Sequence, residues 1–165
     1  MKGQPLPLLV VLVRENGERT MFPDSAANSG LSKADLPPLD NFTAAFLSGY
    51  ALINPKSRKN VTEMIALIKA AGIPVVLDPG TVGALRYVPL SLLHEWISLA
   101  DILILNEEEA LYSAGKDDIE SALIVLAGLT PLVVAKRGKR GAMAIFEKVM
   151  IAQVSAQDVE VLDTT

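Results

Sequence analysis

The chain has 165 residues, half of them apolar and 21 % charged, with a mean hydropathy of +0.36. That length can bury about 70 % of the unfolded surface in one domain, and the composition excludes a disordered chain. A net charge of −4 and a sequence pI near 5.0 argue against a general nucleic-acid or anionic-membrane binder, and the lack of cysteine excludes disulfides and thiolate metal sites.

In chain order, Leu8–Val13 is a run of leucine and valine that reads as a core strand. Asn16-Gly17 supplies hairpin-turn chemistry within 15–18, and Arg19–Phe22 returns as the second strand. The run from Leu6 is too short to cross a membrane and lacks a small-residue cleavage site, so a cytoplasmic, reducing location is the simplest reading. Pro23–Gly30 is loop, Leu31–Asn41 holds prolines that permit at most one helical turn, and Ala44–Ser48 is a strand.

From Pro55 the period changes: Val61, Met64, Ile65, Ile68 and Ala71 follow helical spacing, and Gly72 stops the helix. Val75–Asp78 is an apolar strand of the kind covered on both faces. Pro89–Leu99 is a helix, Ile102–Leu105 a strand, Glu107–Ser113 a helix, and Asp117–Ala127 another. Leu132–Ala135 is a buried strand, Lys136–Gly141 a basic glycine turn, and Ala142–Phe146 pairs antiparallel with Val149–Val154. Val159–Leu162 is a last apolar run. Strand and helix alternate from Ala44 to Ala135, which predicts a three-layer, doubly wound, mostly parallel α/β sheet with flanking helices. No linker divides residues 1–165, so they read as one domain or part of one.

Neither G-x-x-x-x-G-K-[ST] nor G-x-G-x-x-G occurs. The single histidine, His94, lies inside a helix without cysteine or a second histidine and reads as structural. Asn106-x-x-Glu109 has two readings. It fits a capping box at the start of a helix, and it places an amide and a carboxylate on one side of a turn where hydrated Mg²⁺ could meet phosphate oxygens. Glu107 and Glu108 point elsewhere and read as solvated. Lys136-Arg137-Gly138-Lys139-Arg140-Gly141 is either a solvated hairpin turn or one where Gly138 admits a nucleotide to the backbone while Lys136 faces its phosphates. Asp78, at a strand's carboxyl end, either caps the turn through Pro79-Gly80 or belongs to the ligand edge.

In order and spacing, several short pieces resemble the ribokinase-like (PfkB) carbohydrate kinases. They are Glu15–Thr20, Leu77-Asp78-Pro79, Ala100–Leu103 leading to Asn106–Ala110, Val133–Ala142, and Val161–Thr165. The match covers nearly all of this chain but about the middle half of such a kinase, so the resemblance implies a ribokinase-like core truncated at both ends. It also implies transfer of the γ-phosphoryl group of ATP to a sugar hydroxymethyl group with Mg²⁺. By resemblance Asn106 and Glu109 place metal and phosphates, and Lys136 and Gly138 lie in the nucleotide turn. Asp163 and Thr165 open the D-T-x-G-A-G-D segment near a monovalent-cation site, such as one for K⁺.

Gly80 stands where many relatives have asparagine, and Lys136 where many have threonine. The sequence ends at Thr165, before the Gly-Ala-Gly-Asp that carries the family's anion hole and general base, so no catalytic residue is assigned. Residues 1–165 by themselves are therefore expected not to phosphorylate a sugar at a useful rate. The alternatives are a non-catalytic remnant with weak nucleotide binding or a protein-interaction role, and an unrelated doubly wound binding module. Self-association is expected, with neither nucleic acid nor membrane as partner.

Overall fold

The computed structural model describes residues 8–14, 19–23 and 31–157. The hairpin turn at 15–18, most of the loop at 23–30, the apolar run at 159–162, and Asp163 and Thr165 lie outside them. Two sheets are present. Strands β1 (Leu9–Val13) and β2 (Arg19–Pro23) form an antiparallel ribbon in which Val13 registers with Arg19.

The main sheet has six strands in the order β3 (Ala45–Ser48), β4 (Val75–Asp78), β5 (Ile102–Asn106), β6 (Leu132–Lys136), β7 (Ala142–Phe146) and β8 (Val149–Val154). The first four run parallel, and the last two add antiparallel. Sequential parallel strands lying side by side need a crossover each, and helices supply them. They are α1 (Tyr50–Ile53), α2 (Pro55–Ala70), α3 (Val82–Leu85), α4 (Leu90–Ser98), α5 (Glu107–Ala114) and α6 (Ile119–Leu126).

The helices begin and end where local chemistry directs. Asn54 caps α2 by accepting from the Lys56 amide at 3.0 Å, with Pro55 pre-set for the first helical turn. Asp118, rather than Asp117, caps α6 by accepting from the Ser121 amide at 2.8 Å. The four-residue helices α1 and α3 have no predicted counterpart, because a single turn leaves too few residues to show a period. Between Leu31 and Asn41 the chain makes two 3₁₀ turns, Lys33–Asp35 and Leu39–Asn41, where at most one helical turn is expected. A 3₁₀ turn closes over three residues, so it fits between the prolines.

Leu77, Leu103, Leu105, Val133 and Ile145 on the sheet are almost fully buried with Leu93, Ile97, Leu123 and Leu126 on the helices. Each contributes about 1.5–3 kcal/mol by leaving water. The other face is covered less well: Val76, Ile102, Ile104 and Val134 are half-buried. Val75–Asp78 is thus closed on one face and partly open on the other, short of full cover on both. The ribbon departs further from expectation. Leu8–Val13 is not a core strand; Leu9 to Val13 are exposed on both faces, because within the described residues β1 pairs with β2 and nothing lies on either side.

His94 has the structural role expected of it. Its Nε2 donates to the Ser113 carbonyl at 2.7 Å, joining α4 to α5. No helix among the described residues is long and apolar enough to cross a membrane.

Candidate functional site

Ligands of open parallel α/β sheets sit beyond the carboxyl ends of the strands. At that edge β4 ends in Asp78, β5 in Asn106 and β6 in Lys136. Asn106 registers directly with Lys136, and Ser48 with Asp78, so these side chains start from neighbouring strands about 4.8 Å apart.

The step from β5 into α5 is a complete capping box. The Asn106 amide donates to Glu109 Oε2 at 2.8 Å, and the Glu109 amide donates to Asn106 Oδ1 at 2.9 Å. Ordinary caps lie in water, but Glu109 is only 6 % exposed. Burial pushes its carboxyl above the ordinary value; the Asn106 amide opposes this, Asp78 adds to it, Lys136 opposes it and Glu108 adds to it. Asp78 and Lys136 therefore act electrostatically on Glu109 although they lie on different strands.

Asp78 caps the turn through Pro79-Gly80, as one of its two readings has it, and also faces Lys136. Its Oδ1 accepts from the Gly80 amide at 3.0 Å, capping the turn, while Oδ2 lies 3.7 Å from Lys136 Nζ. Gly80 has φ +89°, a conformation that glycine adopts freely and asparagine tolerates better than other residues. Gly80 therefore takes this turn without strain. Sequence reasoning missed Gly49, whose added Cβ would lie 2.2 Å from the Pro79 carbonyl oxygen. Only a glycine lets the end of β3 pass this close to the turn that carries Asp78.

After Lys136 the chain makes a 3₁₀ turn, Gly138–Arg140. Gly138 has φ +55°, and among the described residues no atom beyond its chain neighbours lies within 4 Å of where its Cβ would be, so its backbone is open on that side. The basic residues of this turn are not simply solvated. Arg137 Nη2 lies 3.4 Å from Glu107 Oε1, and Arg140 Nη2 pairs with Glu107 Oε2. Glu107 is therefore not solvated as its helical position suggests; its side chain is 17 % exposed because it turns to the two arginines. Glu108 does face water.

Asp78, Asn106, Glu109 and Lys136 are thus brought to one edge, with Gly138 in the adjoining turn. Among the described residues no group of three His, Cys, Asp or Glu side chains converges on a point that could hold a metal ion. Two carboxylates, Asp78 and Glu109, are too few for an all-protein cage. They fit Mg²⁺, which takes one or two carboxylates and fills its octahedron with water and phosphate oxygens. A buried carboxylate whose proton is held above its ordinary value is one that gains from a nearby cation.

Four parallel strands followed by an antiparallel pair, helices in the crossovers and a polar carboxyl edge define a ribokinase-like α/β protein. The chain belongs to the pfkB family of carbohydrate kinases, whose family description matches residues 1–165. It is 32 % identical over 170 residues to a fructokinase of Klebsiella pneumoniae, covering 99 % of this chain and 55 % of that one. A double-mutant fructokinase of Vibrio cholerae O395, solved with fructose, ADP and a potassium ion, superposes with a TM-score of 0.78 at 26 % identity, covering 97 % of this chain and 54 % of the fructokinase. An adenosine kinase of Sinorhizobium meliloti shares the fold with a TM-score of 0.86 at 24 % identity, covering 98 % of this chain and 50 % of that one. The chain thus spans about half the length of the curated relative it matches.

Proposed function

We propose that residues 1–165 form the nucleotide- and metal-facing part of a carbohydrate kinase that moves the γ-phosphoryl group of ATP to a sugar hydroxymethyl group. The observation that carries this reading is the placing of Asp78, Glu109 and Lys136 at one carboxyl edge, where Asp78 lies 3.7 Å from Lys136 and the charges of both act on the buried Glu109 carboxyl. The fructose, ADP and potassium held by the Vibrio fructokinase support the substrate class and the cofactors.

In this reading Glu109, fixed by its bond from Asn106, and Asp78 would hold Mg²⁺ against the phosphates. When bound, Mg²⁺ neutralises charge on the transferring phosphoryl group and lines it up. Lys136 would exchange its exposed contact with Asp78 for phosphate oxygens. That exchange costs little, since an exposed pair is worth about 0–1 kcal/mol. Gly138 would leave room for the nucleotide over its open backbone face. Asp163 and Thr165 keep a proposed place near K⁺ from the family resemblance alone, and a cytoplasmic location is supported by the lack of cysteine.

The reading is tested by titrating fluorescent ADP with Mg²⁺ or with EDTA. Tighter binding with Mg²⁺, weakened by Lys136→Ala, is expected; equal binding in both conditions would overturn the metal assignment.

One observation favours the second reading, a role in protein contacts. In the ribbon Leu9, Leu12, Val13, Met21 and Phe22 are each more than half exposed, and on β8 so are Val149, Ile151 and Val154. Open strand edges with apolar side chains promote pairing between chains. Light scattering is expected to give a dimer or larger species, and a well-behaved monomer would contradict self-association.

A further inference from the structure

The mechanism leaves one charge cluster, two of its three side chains largely buried, unused. Glu107 is the first residue of α5, directly after Asn106, and any acid there would gain from the helix dipole while facing water. Instead it reaches Arg137 and Arg140, residues 30 and 33 positions further along the chain. The Arg137 side chain is only 14 % exposed. Its Nη1 points to Met143 Sδ at 3.1 Å, and its Nε is buried without a hydrogen-bond partner. Glu107 is the only acidic partner of Arg137 among the described residues.

A buried cation tolerates the loss of its partner badly, because the remaining charge is left without compensation. Without Glu107, then, the Arg137 side chain would leave for water. The turn would follow it, since the Arg137 amide donates to the Gly141 carbonyl at 2.8 Å and the Arg140 amide to the Arg137 carbonyl at 3.1 Å. Glu107 also sets how much positive charge the turn presents. Lys136 faces Asp78 and both arginines face Glu107, so Lys139 is the one cation of the turn without an acidic partner among the described residues.

We propose that Glu107 is a positioning residue: through Arg137 and Arg140 it fixes the 136–141 turn relative to the Asn106–Glu109 turn, and so sets nucleotide affinity. This rests on the nucleotide reading of the 136–141 turn. It predicts that the need for Glu107 vanishes when the buried cation is removed. Arg137→Met places an apolar side chain beside Met143 and leaves no charge to compensate.

The test uses the 165-residue protein, its Glu107→Ala and Arg137→Met variants and the double variant. Hydrogen exchange of the 137–141 amides is measured without ligand, and Mg·ADP affinity with a fluorescent ADP. Glu107→Ala is expected to speed exchange in this turn, but not in β5, and to weaken Mg·ADP about ten-fold, as for the loss of a modest local constraint. The double variant is expected to bind more tightly than Glu107→Ala alone. Should Glu107→Ala fail to fold, Glu107→Gln replaces it with a smaller effect of the same sign.

Unchanged exchange in the turn, or faster exchange with wild-type affinity, would overturn the positioning role, as would a double variant no better than Glu107→Ala. A wild-type protein that binds no nucleotide would overturn the functional reading itself. In that event the exchange data still separate a tie within the fold from no tie at all, and the positioning role falls with the reading.

Discussion

The two turns at the carboxyl edge are held differently. The turn from Asn106 to Glu109 is tied to itself by two backbone-to-side-chain bonds between residues three apart, and its acid is buried. The turn from Lys136 to Gly141 is closed by its own backbone bonds and exposed on the Gly138 side, and its side chains are held by charges on distant parts of the chain, Asp78 and Glu107. A local cap forms as soon as its helix does, whereas long-range ion pairs act only once β4, β5 and β6 stand side by side. Loss of the cap's own bonds should therefore show chiefly in stability, and loss of the charges carried by the two turns in ligand affinity.

The largest expected effect breaks this division from the side of the second turn. Gly141 has φ +83°, and an added Cβ would lie 1.8 Å from the Val154 carbonyl oxygen. Gly141→Ala should cost about 3 kcal/mol in urea unfolding, since backbone of β8 would have to move. A loss below about 0.5 kcal/mol would show that the turn is not seated against β8. Next comes the cap: Asn106→Ala should cost about 1 kcal/mol, because the Glu109 amide then loses its acceptor. An unchanged urea midpoint would mean that the cap does not hold α5.

A smaller effect separates the two duties of Glu109. Glu109→Gln keeps an acceptor for the Asn106 amide and removes the buried charge. Since burial raises the Glu109 carboxyl above 4.5, its contribution to stability is fully present below 4.5 and is lost as pH rises through the raised value. The Gln variant has nothing to titrate there, so its stability relative to wild type should improve as pH rises from 4.5 through the raised value. A difference that is flat with pH would contradict the burial of this charge.

Asp101, at the opposite end of the sheet, has the reverse sign. Burial would raise its carboxyl, but the Lys69 side chain, the Val75 amide and the Lys69 charge together hold it below 3.8. Its stabilisation is thus present above 3.8 and lost as pH falls through the lowered value. Lys69→Ala should cost only about 0.5 kcal/mol, as both partners are roughly a third exposed, and a loss above about 2 kcal/mol would contradict that solvated reading.

The same contrast explains what the sequence discloses. The cap is written in four consecutive residues and can be read from them, as can the parallel strands, whose apolar runs and intervening helical periods are local signals. The order of the pieces discloses the family, because Leu77-Asp78-Pro79, Asn106–Ala110 and Val133–Ala142 keep their spacing. The partner of Glu107 is not legible. Helical phase says where Glu107 leaves the helix, but its arginines arrive from a turn some thirty residues away, after β6 has paired with β5. The exposure of β1 is hidden for a similar reason: LVVLV has the composition of a core strand, and only the tertiary arrangement leaves both of its faces uncovered.

The central claim is that a buried carboxylate at this edge holds a metal–nucleotide pair as well as a helix cap. The most direct measurement is calorimetric titration of Mg·ATP into wild-type protein and Glu109→Gln, each shown by circular dichroism to be folded. The account predicts measurable binding by the wild type and a loss of at least about ten-fold in the variant, whose cap is intact. Equal affinity in the two proteins, or binding by neither, would contradict it and leave Asn106-x-x-Glu109 as a helix cap alone.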